Sequence, residues 1–116
     1  MTIAVDPASN EPPFEQVRRQ VAAGAADGSL APGHKLPTVR QLAADLGIAV
    51  NTVARAYREL EADGVIETHG RRGTFVAARR MTESEAVAAA VTYVAAVRRA
   101  GLSRPEALRL VEDHWA

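Results

Sequence analysis

Residues 38–64 of this 116-residue chain read TVRQLAADLGIAVNTVARAYRELEADG, and this stretch decides the fold. Thr38 opens a capping box, which predicts a helix over about 39–45. Gly47 follows, and glycine is the residue best suited to the left-handed position after a helix. Apolar residues at helical spacing then predict a second helix over about 50–63. Two helices joined by so short a turn are typical of a helix-turn-helix.

The next stretch, residues 65–78, reads VIETHGRRGTFVAA and predicts a β-hairpin. Its two halves, 65–69 and 74–78, are rich in β-branched and aromatic residues, which favour strands. Between them lies a four-residue turn with Gly70 at one end and Gly73 at the other. A hairpin directly after a helix-turn-helix forms the wing of a winged helix-turn-helix.

Three further helices are predicted, one upstream of this region and two downstream of it. Pro13, which suits a first helical turn, and Gly28, which follows the last apolar position, bracket a helix upstream. Capping boxes beginning at Thr82 and Ser103 predict two more helices downstream, over about 83–100 and then to about residue 114. The fold class is therefore mainly α with a small β-hairpin, a winged helix-turn-helix followed by two C-terminal helices.

This order predicts two domains. Residues 1–80 form the winged helix-turn-helix domain, with the helix-turn-helix at about 38–63 and the wing at 65–78, and residues 81–116 form a two-helix tail. The helix over 83–100 is apolar on two stripes, so it needs burial from more than one direction, and a second subunit is the natural source. The predicted dimerisation residues are Val87, Val91, Val94, Val97, Leu108, Val111 and Trp115.

Composition excludes several classes of protein. The chain has no cysteine, which excludes disulfides and thiol chemistry, and no apolar run approaches the length of a membrane span. Its N-terminus lacks the basic and apolar regions of a signal peptide, so we expect a soluble cytoplasmic protein. His34, His69 and His114 have no metal-ligand spacing, and no glycine-rich loop joins a strand to a helix. We therefore expect no enzyme activity, no cofactor and no metal.

The net charge of zero conceals an uneven distribution along the chain. Residues 34–80 hold eight basic and five acidic side chains, a net charge of +3, whereas residues 1–33 carry −2 and residues 81–116 carry −1. A basic segment between acidic flanks is compatible with a nucleic-acid partner that the total charge alone would disfavour.

The motifs in their order resemble a known family. They are LPTVRQLA at 36–43 with Leu46-Gly47, then NTV at 51–53 with Ala56-Tyr57 and Leu60-Glu61, and GTFV at 73–76. This pattern resembles the GntR family of bacterial transcription regulators. The lead-in of residues 5–17 and the short two-helix tail are similar to the YtrA-like subfamily. The tail is too short for the effector domain or the aminotransferase-like domain that some relatives carry.

The resemblance implies a homodimeric, sequence-specific regulator, a repressor, that binds a pseudo-palindromic double-stranded DNA operator. The second helix of the helix-turn-helix would enter the major groove, and the wing would lie against the backbone or minor groove. Arg40, His69 and Gly70 match family positions that contact or approach DNA. The complete predicted DNA-binding set is Arg40, Asn51, Thr52, Arg55, Arg58, His69, Gly70, Arg71 and Arg72.

Each of these cations also has a structural alternative. Arg55 could pair with Glu59 on a solvated face, and Arg58 could pair with Glu59 or Glu61. Arg71 and Arg72 could be ordinary surface charges beside the turn glycines. Tyr57 faces the core and is expected to pack there.

At the start of the predicted recognition helix the chain departs from the family pattern. Ala49 and Val50 stand where many relatives have a capping residue followed by arginine or proline, and Ala54 stands where relatives often carry arginine. Base readout would then depend on few side chains, with Val50 able to meet a thymine methyl group.

Two other readings remain open. A winged helix can serve only as a protein–protein or oligomerisation module, although such a module would have little use for the exposed arginines. A small-molecule effector could bind in the tail at the dimer interface, although a plain dimerisation core is the better supported explanation of its apolar residues.

Overall fold

The computed structural model describes residues 3–78 and 83–115. Five α-helices and one hairpin follow each other along the chain: α1 Pro13–Asp27, α2 Val39–Leu46, α3 Val50–Ala62, β1 Ile66–Thr68, β2 Thr74–Val76, α4 Glu83–Arg99 and α5 Arg104–Asp113. A short 3₁₀ turn, Gly70–Arg72, lies between the two strands. The chain divides into two compact units, Met1–Met81 and Thr82–Ala116, which we call the head and the tail.

The helices of the head begin and end where local chemistry dictates. Pro13 occupies the first turn of α1, and Gly28 ends the helix with a φ of 87°. The Thr38 hydroxyl accepts the backbone N–H of Gln41 at the start of α2, and Gly47 ends α2 with a φ of 67°. These positive φ angles favour glycine because other residues clash with their own Cβ there.

The head is held together by an aliphatic core. α3 packs against both α1 and α2, and it contacts β1. Val17 and Val21 of α1 and Val53 and Leu60 of α3 are fully buried. The other core members are Ala25, Leu30, Leu36, Leu42, Ala43, Ala56, Tyr57, Ile66 and Val76.

The wing is shorter than the sequence predicts. Its strands pair antiparallel in the register Ile66–Val76, Glu67–Phe75 and Thr68–Thr74, three residues each, and the tip closes into the 3₁₀ turn. The other edge of β2 is bonded by residues 33–36: Val76 donates to the carbonyl of His34 at 2.9 Å, and Leu36 donates to that of Thr74 at 2.8 Å. The extended piece before α2 thus acts as a third strand.

In the tail, α4 and α5 are joined by a turn at Gly101. Ser103 caps α5 in a complete capping box with Glu106, as the sequence predicts, and the hydrogen bonds from Ser103 hold the pKa of the Glu106 carboxyl below its usual value. Tyr93 donates to the carbonyl of Ala107 at 2.7 Å, which joins the two helices. The capping box predicted at Thr82 lies outside the described residues.

Candidate nucleic-acid interface

The first predicted contact residue lies on α2. Arg40 is the second residue of this helix and is exposed, whereas Leu42, about 160° around the helix, and Ala43 are buried in the core. The Thr38 cap fixes where α2 begins, so the sequence also fixes which face Arg40 occupies.

The helix α3 presents one apolar face to the core and one polar face to solvent. Its buried residues are Val53, Ala56, Tyr57 and Leu60, and the opposite face carries Asn51 and Arg58, both exposed, with Thr52 half-buried. The helical repeat of 3.6 residues separates these two sets.

Tyr57 fixes the position of α3 relative to the start of α2. Its hydroxyl donates to the carbonyl of Pro37 at 2.7 Å, one residue before the Thr38 cap. Burial raises the pKa of Tyr57 to about 12, so the phenol remains a donor throughout the neutral range. Tyr57 is therefore a core residue, as its sequence position indicates, and it orients the helix-turn-helix.

Among the predicted contact residues on α2 and α3, Arg55 is the one whose side chain is held by described residues of the protein itself. Its guanidinium lies 3.6 Å from the centre of the Phe14 ring, and its Nε donates to Glu59 at 3.3 Å. The pairing with Glu59 follows from their spacing of four residues, but the contact with Phe14 spans 41 positions and has no signature in the sequence. About half of the Arg55 side chain remains exposed.

The N-terminus of α3 has no side-chain cap. Ala49 occupies the N-cap position with extended backbone, a φ of −67° and a ψ of 144°, and contributes only its carbonyl, which accepts from Thr52 at 3.1 Å. A helix that starts without a cap exposes N–H groups that can bind an anion such as a phosphate.

The wing tip groups four predicted contact residues, His69, Gly70, Arg71 and Arg72, and all four are exposed. The His69 ring lies 5.6 Å from that of Phe75 and 3.2 Å from the Glu67 carboxylate, so two strand residues hold it. Gly70 has a φ of 57°, a left-handed conformation that permits the tight 3₁₀ turn.

Lys35 is a candidate contact residue that the motifs did not single out. Its backbone bridges Phe75 of β2, and its side chain runs past Gly73, where an added Cβ would lie 2.8 Å from the Lys35 Cε. This exposed cation therefore lies at the base of the wing tip. Only the pairing of residues 33–36 with β2 brings it there, which a sequence pattern around position 35 does not show.

The charges of this surface are largely uncompensated. Within residues 3–78 and 83–115, no ion pair holds Lys35, Arg40, Arg58, Arg71 or Arg72, whereas Arg19 pairs with Glu11 at 2.9 Å and Arg55 with Glu59. These five cations on α2, α3 and the wing provide a positive surface of the kind that a phosphate backbone requires.

The predicted dimerisation residues lie in the tail, and six of them are exposed: Val87, Val91, Val94, Leu108, Val111 and Trp115. Val97 differs, since it is only 8% exposed within a single chain and packs inside the tail itself. A groove of about 670 Å³ opens between α4 and α5, lined mainly by apolar side chains that include Tyr93, Val94, Leu108 and Val111.

Other kinds of site find no support in the described part of the chain. Its His, Asp and Glu side chains form no group of three or more that could hold a metal ion. No helix in the same part of the chain is long and apolar enough to cross a membrane.

This geometry defines the class of a winged helix-turn-helix DNA-binding protein, and comparisons identify the family. Residues 13–76 match the profile described as "Bacterial regulatory proteins, gntR family". The chain is 49% identical over 107 residues to the HTH-type transcriptional regulator Rv1152 of Mycobacterium tuberculosis, covering 92% of this chain and 88% of that protein. It is 42% identical over 80 residues to the HTH-type transcriptional repressor YtrA of Bacillus subtilis, covering 69% of this chain and 62% of YtrA.

Solved structures agree with this assignment. YtrA from Sulfolobus acidocaldarius, a GntR-family transcription factor, has a TM-score of 0.63 and 32% identity, covering 82% of this chain and 97% of its own. The AraR DNA-binding domain in complex with operator ORX1 has a TM-score of 0.57 and 27% identity, covering 64% of this chain and 94% of its own. The chain therefore belongs to the GntR family and is a YtrA-like transcription regulator with a winged-helix DNA-binding domain.

Proposed function

We propose that two copies of this chain form a homodimer that represses transcription by binding a pseudo-palindromic operator. The observation that carries the proposal is a set of exposed cations on α2, α3 and the wing of a GntR-type head, which form no ion pair with any described residue: Arg40, Arg58, Arg71 and Arg72. In the GntR-type AraR domain, a head of this fold is bound to an operator. The repressor role is supported by the 42% identity to the YtrA repressor, although this chain spans less than two thirds of that protein.

Within the head, we assign base reading to α3 and backbone contact to its surroundings. Asn51 carries both a donor and an acceptor on the exposed face of α3, which suits the N6 and N7 atoms of adenine. We also assign contacts with DNA to Thr52 and Arg58 of α3 and to Arg40 of α2. The two arginines are included because their positive charge suits phosphate groups. Arg55 would contact DNA only after its side chain leaves the Phe14 ring and the Glu59 carboxylate.

The wing is assigned to the DNA backbone or minor groove. Its tip residues His69, Gly70, Arg71 and Arg72 are exposed, and Lys35 adds a fifth group at its base. A short turn with two adjacent arginines and little apolar surface has few structural demands, so its charges are available to phosphates.

We assign the tail to dimerisation. Among its described residues Val97 alone is buried, so α4 and α5 have almost no core of their own in a single chain. Two helices with exposed valines and leucines need a cover, and a second copy supplies an identical apolar surface. The groove between α4 and α5 belongs to this surface, and we assign no effector to it. A regulator that binds operator DNA in a bacterial cell acts in the cytoplasm, and we assign this chain to that compartment.

The test is selection of bound duplexes from a random pool by the full chain, with the mass of the selected complex measured by light scattering. The proposal expects a consensus of two inverted half-sites and a mass of two chains per duplex. Binding that falls with salt equally for all sequences, with no consensus, would show instead a module without operator recognition.

A further inference from the structure

The first turn of α3 exposes a large apolar side chain, Val50. Val50 is the first residue of the helix and is 47% exposed, whereas Val53, three residues later, is fully buried. Ala54 lies one turn after Val50 on the same side of the helix. Val50 and the half-buried Ala54 form an apolar strip at the edge of the exposed face of α3, between Asn51 and the buried side chains.

The long cation of this region does not cover the strip. Arg55 is held by the Phe14 ring and by Glu59, on the side of α3 that faces α1. In an ideal helix Val50 and Ala54 are 140° and 100° away from Arg55, as follows from a rotation of about 100° per residue. Arg55 is therefore held away from the exposed part of Val50, and the cations of α2 and the wing are the groups that attract phosphates to the head.

Base edges in the major groove offer one apolar group, the C5 methyl of thymine. We propose that Val50, supported by Ala54, contacts a thymine methyl group in each half-site and is a specificity-determining residue. This inference rests on the proposed operator binding. It assigns to an apolar contact the discrimination that a guanine-reading arginine at this position would otherwise supply.

The experiment uses the full chain and the duplex obtained by selection, with each thymine replaced in turn by uracil, which lacks only the methyl group. We expect one thymine per half-site at which uracil weakens binding by about fourfold, the loss for one methyl group leaving an apolar contact. The same replacement should have no effect on Val50→Ala, whose shorter side chain no longer reaches the methyl.

Arg58→Ala is the matched control, since it alters another exposed residue of α3. It should weaken binding of thymine and uracil duplexes alike and keep the fourfold ratio between them. Because Val50 is exposed, Val50→Ala should retain the wild-type circular dichroism spectrum and melting temperature.

Three results would overturn the inference. If the wild-type chain recognises a consensus but tolerates uracil at every thymine, operator binding stands and the methyl contact does not. If Val50→Ala keeps the full uracil effect, another residue or the shape of the DNA reads that thymine. If selection yields no consensus at all, the proposed function fails and this inference fails with it.

Discussion

The guanidinium of Arg55 lies 3.6 Å from the centre of the Phe14 ring, so the recognition helix is attached directly to the first turn of α1. Glu59 completes the contact by accepting from the Arg55 Nε at 3.3 Å. The sequence suggests two partners for Arg55, DNA and Glu59. The structure adds a third, the Phe14 ring, which lies 41 positions away along the chain. In the free protein Arg55 is thus a structural residue.

Arg55→Ala and Arg58→Ala should separate stability from DNA binding. Loss of the cation–π contact should lower the free energy of unfolding of Arg55→Ala by about 0.5–1 kcal/mol, the value for a partly exposed pair. Arg58→Ala should keep the wild-type stability, because no ion pair within the described residues holds it, and should bind the operator more weakly. Urea unfolding and a binding titration check both; equal stability of the two variants would contradict the structural role of Arg55.

Removal of both wing arginines should change how affinity depends on salt. If each of Arg71 and Arg72 neutralises one phosphate, the double alanine variant should have a slope of log K against log salt that is smaller by about 1.8. Arg99→Ala with Arg109→Ala removes the same charge from exposed positions in the tail and should leave the slope unchanged. A wild-type slope in the wing variant would show that these side chains do not meet phosphates.

Substitutions at the N-caps of α2 and α3 should change the stability of the protein in opposite directions. Ala49→Ser should supply the missing cap of α3 and raise the free energy of unfolding by about 0.5–2 kcal/mol, because Ala49 already has the extended backbone that a capping residue requires. Thr38→Ala should lower it by a similar amount, because it removes the bond to Gln41. Thermal melts of both variants test this, and no gain for Ala49→Ser would mean that another group already satisfies those N–H groups.

Because Tyr57 is buried as a neutral phenol, the folded protein should lose stability at high pH. Its pKa of about 12 in the folded chain lies above the ordinary tyrosine value of about 10, so its contribution to the free energy of unfolding is complete below pH 10 and decreases as the pH rises toward 12. Tyr57→Phe should lack this decrease. At neutral pH it should be less stable by about 1–2 kcal/mol, because the Pro37 carbonyl loses its donor. Urea midpoints at pH 7, 10 and 11 measure both effects, and parallel curves for the two proteins would refute the assignment.

A charged side chain introduced into the apolar surface of the tail should dissociate the proposed dimer. Val94 is 50% exposed and lines the groove, so Val94→Glu should place a carboxylate in the interface and yield a monomer. Thr92→Glu adds the same charge at an exposed position about 160° around α4 and should remain dimeric. Sedimentation of both variants gives the answer, and a dimeric Val94→Glu variant would place the interface elsewhere.

The helix boundaries could be predicted because the signals are local. Pro13, Gly28, Thr38 and Gly47 each mark an end by their own backbone chemistry, and the structure places the helix ends there. The strands are shorter than predicted, because β-branched composition does not show where pairing stops and the Gly70–Arg72 turn begins.

Contacts between distant segments could not be predicted. Gln16 is a polar residue on the buried side of α1, and its side-chain amide accepts from the Asp6 N–H at 2.7 Å and donates to the carbonyls of Asp6 and Glu11. These bonds order the proline-rich lead-in, which by sequence is only an extended stretch. The positions of Arg55 and Lys35 likewise depend on segments that meet only in the folded chain.

The hydrogen bonds between residues 33–36 and β2 keep the wing ordered before it binds DNA. A hairpin with three-residue strands is too short to stay folded alone, but here its second edge is anchored to the segment that leads into α2. The tip is therefore preorganised, and binding does not have to supply the entropy of ordering it. Association should then resemble rigid docking, with the heat capacity change of a surface contact and none of the larger change that accompanies coupled folding.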